Sequence, residues 1–481
     1  MLGGEPSSCT FLFIATIVIL RWAVSTFPYS GQNVAPMFGD YEAQRHWQEL
    51  TVNLPAHTWY KNTTDNDLLY WGLDYPPLTA YHSWIIGKIG EKLNSSWVEL
   101  HSSRGTESMQ HKLFMRYSVL CSDLLVYIPS VIFYASSYPD KTYWKILTGL
   151  FAYPGLILID YGHFQYNCVS LGFFILAVAW LEKRAVLQGA VAFSLALNYK
   201  QMELYHAMPF FVYILASCLS SGGSYIDRVG KIAKVAVVVL ATFAACWAPF
   251  LNSQDTIKSV LLRLFPFSRG LFEDKVSNFW CALNVVYKIR KYIAQPQIVS
   301  LCAMTTLLSI TPASVKLFMQ PTARNFKYTL VISSLAFFLF SYQVHEKSIL
   351  IAAISCLLLI DEMPVFTSWF AIVSIFSMLP LLLKDGLSLA TLGTTGSFLS
   401  VMIWLDREAY SLTSTMQLSL SGVGMAVLAI CGMFVTPPSR LPDLWPVLIS
   451  LYSCAHFVLF YFYLNYHLMT AKFKLTNKKS T

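Results

Sequence analysis

The sequence has few charged residues for its length. Of its 481 residues, 12% are charged and 55% are hydrophobic, whereas soluble domains carry about 25% charged residues. A water-soluble fold of this size lacks the charged side chains needed to cover its surface, so a soluble protein is excluded. Apolar runs long enough to cross a bilayer recur along almost the whole chain, which predicts a polytopic membrane protein.

The sequence also lacks a concentrated basic region. Its formal net charge is +8, but the lysines and arginines are dispersed among the loops between apolar runs and the C-terminal tail. Nucleic-acid binding needs basic residues gathered on one face or in a recognised module, so we expect no nucleic-acid partner. Attraction to anionic headgroups explains the dispersed charge, and membrane lipids are the expected partners.

Disulfide, metal and nucleotide motifs are missing as well. Nearly all of the ten cysteines fall within apolar runs, and the polar segment 28–113 contains none, so neither a disulfide framework nor a metal-ligand spacing is visible. No P-loop, G-x-G-x-x-G or H-E-x-x-H pattern occurs. Asp65-Asn66-Asp67 matches a metal-binding D-x-D, but without an accompanying soluble α/β domain we interpret it as a solvated loop. The sequence therefore predicts no cofactor and no metal.

Fourteen apolar segments are predicted to cross the membrane as helices. They lie near residues 10–27, 114–136, 143–159, 166–182, 184–199, 203–219, 229–250, 297–319, 327–343, 347–361, 364–383, 388–404, 416–435 and 444–468. A shorter apolar piece, 278–286, is predicted to be re-entrant or interfacial. No small-residue cleavage pattern follows the first segment, which favours a retained span. We expect one membrane domain over 1–481, with 28–113 as its first loop.

Two features orient the predicted molecule. The only N-x-Ser/Thr acceptors, Asn62 and Asn94, lie in the first loop, and glycosylation requires them to face the lumen. Both termini are then cytosolic, and the distribution of lysine and arginine among the loops agrees. The tail 478–481 reads Lys-Lys-Ser-Thr and resembles a dilysine retrieval signal of endoplasmic-reticulum membrane proteins. A plain basic juxtamembrane tail is the alternative.

Polar clusters interrupt the chain at the predicted lumenal ends of the spans. They are 39–42, 71–77, 160–167, 198–203, 269–274 and 345–347. A site assembled from several lumenal loops is therefore the main hypothesis. A transporter would need ionisable residues near the middle of its spans, where they are sparse here, although a lipid-linked-sugar flippase stays as an alternative.

The first loop is predicted to contain two helices. Apolar residues recur at helical spacing from Ala43 to Leu54, which indicates an amphipathic helix on the membrane surface with Trp47 at headgroup level. A second helix follows Pro77. Asp40 stands where the first helix starts, so it is either an N-cap or a catalytic carboxylate.

Other candidate site residues also have plain structural interpretations. Asp74 suits a turn, and His163 and Gln165 suit the interfacial belt at a span end. Lys200 is long enough to extend towards the headgroups without any functional role. The cluster 345–347, His-Glu-Lys, stands between two strongly apolar spans, where local ion pairing competes with a functional role.

Six blocks of the sequence resemble the endoplasmic-reticulum glucosyltransferases that use dolichyl phosphate glucose. The blocks are GDYEAQRHW (39–47), YWGLDYPPLTAYHS (70–83), LILIDYGHFQYN (156–167), NYKQMELYH (198–206), LFPFSRGLFEDKVSNFW (264–280) and QVHEKSIL (343–350). The first-loop block is most similar to members that add the first α-1,3-linked glucose to the mannose-rich dolichyl-diphosphate-linked oligosaccharide. Members that add the second glucose share the HEK block and are the alternative.

The resemblance implies a GT-C fold with about fourteen transmembrane helices and a lumenal active site. It implies dolichyl phosphate glucose as donor, inversion at the transferred sugar, and a place in N-glycan precursor assembly. Asp40 matches the family's general base. A carboxylate in that role suits the chemistry, because a sugar hydroxyl is a weak nucleophile that must lose its proton as the bond forms.

The departing lipid phosphate needs positive charge or hydrogen-bond donors rather than a general acid. His345 and Lys347 are the leading candidates for binding it, followed by Lys200 and Arg269. Six further residues of the blocks are expected to contact substrate. These are Asp74, Tyr75, His163, Gln165, Gln201 and Glu346.

Overall fold

A computed structural model describes residues 8–266, 271 and 275–470. Every regular element in these residues is helical. The α-helices are α1 Ser8–Ser25, α2 Gly39–Asn53, α3 Pro77–Leu93, α4 Met109–Ser122, α5 Ile128–Ala135, α6 Asp140–Phe151, α7 Pro154–Ile157, α8 Asn167–Glu182, α9 Val186–Tyr199, α10 Ala207–Leu219, α11 Tyr225–Trp247, α12 Gln254–Leu264, α13 Phe279–Val286, α14 Gln295–Met319, α15 Ala323–Phe340, α16 Ile349–Leu357, α17 Pro364–Ser377, α18 Leu379–Lys384, α19 Ser388–Leu405, α20 Leu412–Phe434 and α21 Leu444–Thr470. The predicted all-helical architecture is confirmed.

Within the described residues, nine helical segments are long and apolar enough to cross a membrane. They are Ser8–Ser25, Met109–Ala135, Asp140–Phe164, Gln201–Leu219, Tyr225–Phe250, Gln295–Met319, Ser388–Leu405, Leu412–Phe434 and Leu444–Thr470. The other predicted spans also fall on helices, but α8, α9, α16 and α17 are shorter and α15 begins with polar residues. Fourteen membrane crossings therefore stay a prediction.

The helices differ in how much of their surface is covered by protein. α8 and α16 are buried on nearly all sides, whereas α11 buries only Cys246 and α20 only Ser421 and Met425. Helices that are apolar around their whole circumference yet exposed are typical of contact with lipid tails. Between interior helices, small residues allow close approach. A Cβ on Gly172 of α8 would lie 3.0 Å from the Tyr127 Cα.

The first loop folds around a buried charged helix. The prediction of a helix near Asp40 is confirmed by α2, but the prediction that α2 lies on the membrane surface is wrong. Arg45 is fully buried, with its guanidinium donating to Glu42 at 2.6 and 2.7 Å and to Glu49 at 2.7 Å. Ser103, from later in the loop, accepts a further hydrogen bond from Arg45 at 2.6 Å. The polar face of α2 is thus paired inside the loop and does not face solvent.

The second predicted helix of the loop, α3, begins at Pro77 as expected. It does present apolar side chains outwards, since Trp84, Ile85 and Ile89 are between 43% and 50% exposed. The apolar surface that suits a membrane interface is therefore on α3 rather than on α2. Together, α2 and α3 cover one end of the helix bundle and place Asp40 against it.

Candidate active site

A cavity of about 540 Å³, lined by both apolar and charged side chains, opens where the first loop meets the helix bundle. Its walls come from the start of α2, the segment 71–75, the turn after α9, the end of α12 and the segment 341–348. Titratable side chains from distant parts of the chain converge there. Those lining the cavity include Asp40, Asp74, Lys200, Arg263, His345 and Lys347.

Asp40 does not cap its helix. The N-cap position of α2 is Phe38, with φ 54° in the left-handed region, and no side chain makes a capping hydrogen bond there. The Asp40 carboxylate instead turns towards the bundle, where its Oδ2 accepts from Gln165 Nε2 at 2.7 Å and Lys347 Nζ at 2.5 Å. His163 Nε2 lies 3.1 Å from the same oxygen. The capping interpretation of Asp40 is therefore wrong.

The electrostatics of the site keep Asp40 ionised. Burial disfavours the charged carboxylate, but the Lys347 ammonium and the His163 ring outweigh it and hold the pKa of Asp40 well below its usual range. Burial likewise opposes the charge on Lys347, yet Asp40 raises the pKa of Lys347 above its ordinary value. A quarter of the Asp40 side chain stays exposed to the cavity. In the described residues no group donates to Asp40 Oδ1.

A sharp turn places His163 and Gln165 beside Asp40. Helix α7 continues into a π-helical turn, Leu158–Phe164, which ends at Phe164 with φ 90°. That conformation is unfavourable for an aromatic residue, and such strain is typical of functional positions. The turn lets His163 and Gln165, on either side of Phe164, both contact Asp40. The Ser30 N–H further ties this turn to the first loop by donating to the His163 carbonyl at 3.0 Å.

A second cation, Lys200, lies deeper in the cavity wall. It donates to Asn167 Oδ1, and Asn167 in turn donates to Gln165 Oε1 at 3.0 Å. The ammonium also stands 5.2 Å from the centre of the Tyr75 ring. Burial lowers the pKa of Lys200, and the nearby Asp160 carboxylate only partly offsets this effect. Lys200 therefore belongs to a hydrogen-bonded row that ends at Asp40, rather than extending towards the headgroups.

Another part of the wall is built from the first loop and α12. Gln201 donates to the Asp74 carbonyl at 2.9 Å, which joins the turn after α9 to the loop. Arg263 of α12 donates to the carbonyls of Gly72 and of Leu73, the latter at 3.1 Å. These contacts fix the backbone around Asp74, so this part of the wall has a defined shape.

Most sequence-predicted site residues meet at this cavity. Asp40, Asp74, Tyr75, Gln165, Lys200, Gln201, His345 and Lys347 line it, and His163 lies behind Asp40. Glu346 does not line the cavity in the described part of the chain, and Arg269 lies outside the described residues. The substrate contacts of all these residues stay predictions.

Three residues at the site were not predicted from the sequence. Asn167 links Lys200 to Gln165, Arg263 shapes the wall near Asp74, and Asp385 lies behind His163. Asn167 closes the polar cluster 160–167, and Asp385 stands in a polar interruption between two apolar segments. Those positions are the sequence signals from which Asn167 and Asp385 could have been predicted as site residues. Arg263 has no comparable signal, because an arginine on a short amphipathic helix is ordinarily a surface residue.

The fold and the site define a polytopic helical membrane enzyme with an acid–base site at one end of its bundle. A model of the ALG6, ALG8 glycosyltransferase family matches residues 17–463. The chain belongs to this family, whose members are membrane glycosyltransferases of the GT-C type.

Relatives of known name match nearly the whole chain. A Gallus gallus protein named "Dolichyl pyrophosphate Man9GlcNAc2 alpha-1,3-glucosyltransferase" is 47% identical over 495 residues, which cover 96% of each chain. A Mus musculus protein of the same name is 47% identical and covers 95% of this chain and 96% of its own. A Drosophila melanogaster protein, named as a probable enzyme of this kind, is 46% identical over 98% of this chain and 99% of its own.

Proposed function

We propose that this protein transfers glucose from dolichyl phosphate glucose to dolichyl-diphosphate-linked Man9GlcNAc2, forming an α-1,3 linkage during N-glycan precursor assembly. The observation that carries the proposal is the ionised Asp40, which faces a cavity whose walls also hold Lys347 and Lys200. The names of the relatives support the choice of acceptor and linkage. The proposed site of action is the lumenal side of the endoplasmic-reticulum membrane.

The proposed reaction is a single displacement at the anomeric carbon of glucose. The acceptor oxygen forms a bond to that carbon while its proton passes to Asp40 Oδ1, and the bond to the lipid phosphate oxygen breaks. The electron pair leaves with dolichyl phosphate. Attack opposite the leaving group turns a β-linked donor into an α-linked product, which is the inversion expected of the family.

The cations of the cavity suit the departing phosphate. Lys347 and His345 stand on the wall next to Asp40, and Lys200 lies behind Gln165 and Asn167. A phosphate bound there shares the Lys347 ammonium with Asp40. The ammonium then lowers the pKa of the Asp40 carboxylate less than it does in the free enzyme. Donor binding thereby makes Asp40 a better proton acceptor at the step that needs one.

The first-glucose reaction is proposed over the second-glucose reaction because the relatives' names specify Man9GlcNAc2, an acceptor without glucose. The deciding experiment uses purified protein, dolichyl phosphate glucose, and lipid-linked Man9GlcNAc2 with or without one glucose. We expect a product larger by one hexose only from the acceptor without glucose. Extension only of the glucosylated acceptor supports the second-glucose reaction, and no transfer to either acceptor contradicts the proposal.

A further inference from the structure

We propose that Asp385 is a positioning residue for glucose transfer, acting on Asp40 through the ring of His163. The inference rests on the proposed function, because it assigns a role to a residue behind the proposed base. His163 Nδ1 lies 2.5 Å from Asp385 Oδ2, and His163 Nε2 lies 3.1 Å from Asp40 Oδ2. One imidazole thus bridges two carboxylates that are far apart in the sequence.

The bridge is enclosed by protein. The side chains of His163 and Asp385 are 2% and 4% exposed, whereas that of Asp40 is 25% exposed. Of these three side chains, only that of Asp40 reaches the cavity. A buried carboxylate without a partner is strongly unfavourable, and Asp385 is stabilised by its short contact with His163 together with the nearby charges of Arg116 and Lys347.

The backbone at the Asp385 end of the bridge is fixed by hydrogen bonds. Asp385 follows the last residue of α18, where its N–H donates to the Leu381 carbonyl at 3.1 Å. Gly386 comes next with φ 73°, and the Leu387 N–H donates back to the Leu382 carbonyl at 2.9 Å. This is the glycine-containing termination that holds a helix end in one geometry.

The arrangement fixes the proton on the inner nitrogen of His163. With the Asp385 carboxylate as acceptor, the 2.5 Å contact assigns a proton to Nδ1 in both the neutral and the charged ring. In the neutral ring, Nε2 accepts from Lys347 Nζ at 3.0 Å; in the charged ring, it donates to Asp40. In either state the ring is held against the base and its cation, which keeps Asp40 Oδ1 oriented for the acceptor hydroxyl.

The test replaces the inner carboxylate with an amide. In Asp385→Asn the amide nitrogen is able to donate to Nδ1, so the opposite tautomer becomes available and the ring loses its fixed orientation. We expect the turnover number to fall about 10- to 100-fold, by analogy with the loss when the partner that orients a metal-binding imidazole is removed. The KM values for donor and acceptor should stay within about twofold, because Asp385 contacts neither substrate. Asp385→Glu, which keeps the carboxylate, should retain more turnover than Asp385→Asn.

Asp406→Asn is the matched control. The side chains of Asp385 and Asp406 are 4% and 8% exposed and flank the two ends of α19, and Asp406 pairs with Lys145 at 2.6 Å. Eighteen residues of helix separate them by about 27 Å. A general effect of removing a buried carboxylate should appear in both variants, whereas a positioning effect should lower turnover only in Asp385→Asn.

A double mutant tests whether Asp385 acts through His163. His163→Gln alone should lower turnover, and adding Asp385→Asn to it should cause little further loss, because the bridge is already broken. Losses that multiply in the double mutant, or normal turnover in folded Asp385→Asn, overturn the inference while wild-type transfer still supports the proposed function. If the wild type transfers no glucose, both proposals are overturned. Should Asp385→Asn not fold, Asp385→Ser provides the same comparison with a smaller side chain.

Discussion

At Asp40, three side-chain nitrogen atoms meet one carboxylate oxygen, while no group in the described residues donates to the other oxygen. Lys347, His163 and Gln165 all lie within 3.1 Å of Oδ2. The pairing with Lys347 gives the resting site a compensated charge, which is favourable in a partly buried position. The pKa of Asp40 therefore depends on whether the Lys347 ammonium pairs with Asp40 or with another group.

The first prediction concerns Lys347 and the pH dependence of transfer. Lys347 is a principal cause of the depressed pKa of Asp40, so Lys347→Met should raise that pKa. The ionised base is present above its pKa and is lost as the pH falls through it. The acidic limb of kcat/KM should therefore move to higher pH in the variant, and KM for the donor should rise.

The control for this prediction is Lys88→Met on α3. Lys88 is 40% exposed and pairs with Glu91 at 2.9 Å, a surface contact of small energetic value. Its pH profile should match that of the wild type. An unshifted acidic limb in Lys347→Met would show that Lys347 does not set the pKa of the catalytic base.

At the scale of elements, the sequence predicts the positions of helices better than it predicts their breaks and their burial. Apolar runs located every described span, but the segment 364–383 was predicted as one helix and is two, α17 and α18. Pro380, near the start of α18, supplies no backbone N–H to continue the helix. Such a break depends on local hydrogen bonding, which a hydrophobicity pattern does not report.

The burial of the polar face of α2 inside the first loop was not predicted from the sequence. Helical periodicity correctly placed α2 but suggested a surface helix, because Glu42, Arg45 and Glu49 look like a solvated face. The partners that bury them, including Ser103, come from a segment with no periodic pattern of its own. The residues around Asp40 were predictable as a set, because they lie in polar clusters at the ends of predicted spans. The contact between Asp385 and His163 was not predictable, because Asp385 lies outside those clusters.

The second prediction concerns this buried cluster. Arg45→Met leaves the carboxylates of Glu42 and Glu49 without their buried partner, which typically destabilises a protein by about 3–5 kcal/mol. We expect a clear fall in thermal stability and in the yield of folded protein in detergent. Lys88→Met, which removes a surface pair, should change stability by less than about 1 kcal/mol. Equal stability of Arg45→Met and wild type would contradict the structural role of the cluster.

At the scale of the whole molecule, the first loop and the cavity are at the same end of the bundle. The proposed lumenal site therefore requires Asn62 and Asn94 to face the lumen as well. Asn62 is exposed and Asn94 partly exposed, so both are open to modification. The proposed retrieval signal, 478–481, lies outside the described residues, and a protease-protection experiment tests its location.

The third prediction concerns this orientation. Removal of N-glycans should increase gel mobility of the wild type, and Asn62→Gln with Asn94→Gln should abolish that shift. A tag placed after Thr481 should be digested by protease added to sealed microsomes, because the C-terminus is proposed to be cytosolic. A protected tag would place the C-terminus in the lumen and contradict both the even number of spans and the retrieval signal.

The last prediction separates the catalytic role of Asp40 from its structural surroundings. Asp40→Asn preserves the size of the side chain and costs no helix cap, since Asp40 makes no capping hydrogen bond. It removes the proton acceptor, whose contribution is typically on the order of 100- to 10,000-fold. Asp65→Asn, an exposed carboxylate of the same loop that is 53% accessible, is the control.

The most direct test is therefore the turnover number of purified Asp40→Asn with dolichyl phosphate glucose and lipid-linked Man9GlcNAc2. Wild type, Asp65→Asn and Asp40→Asn should elute alike on size exclusion and unfold at similar temperatures. We predict that turnover falls at least about 100-fold in Asp40→Asn alone. Near-normal turnover in the folded Asp40→Asn protein would contradict its role as the base and would make Asp74, which also lines the cavity, the next carboxylate to test.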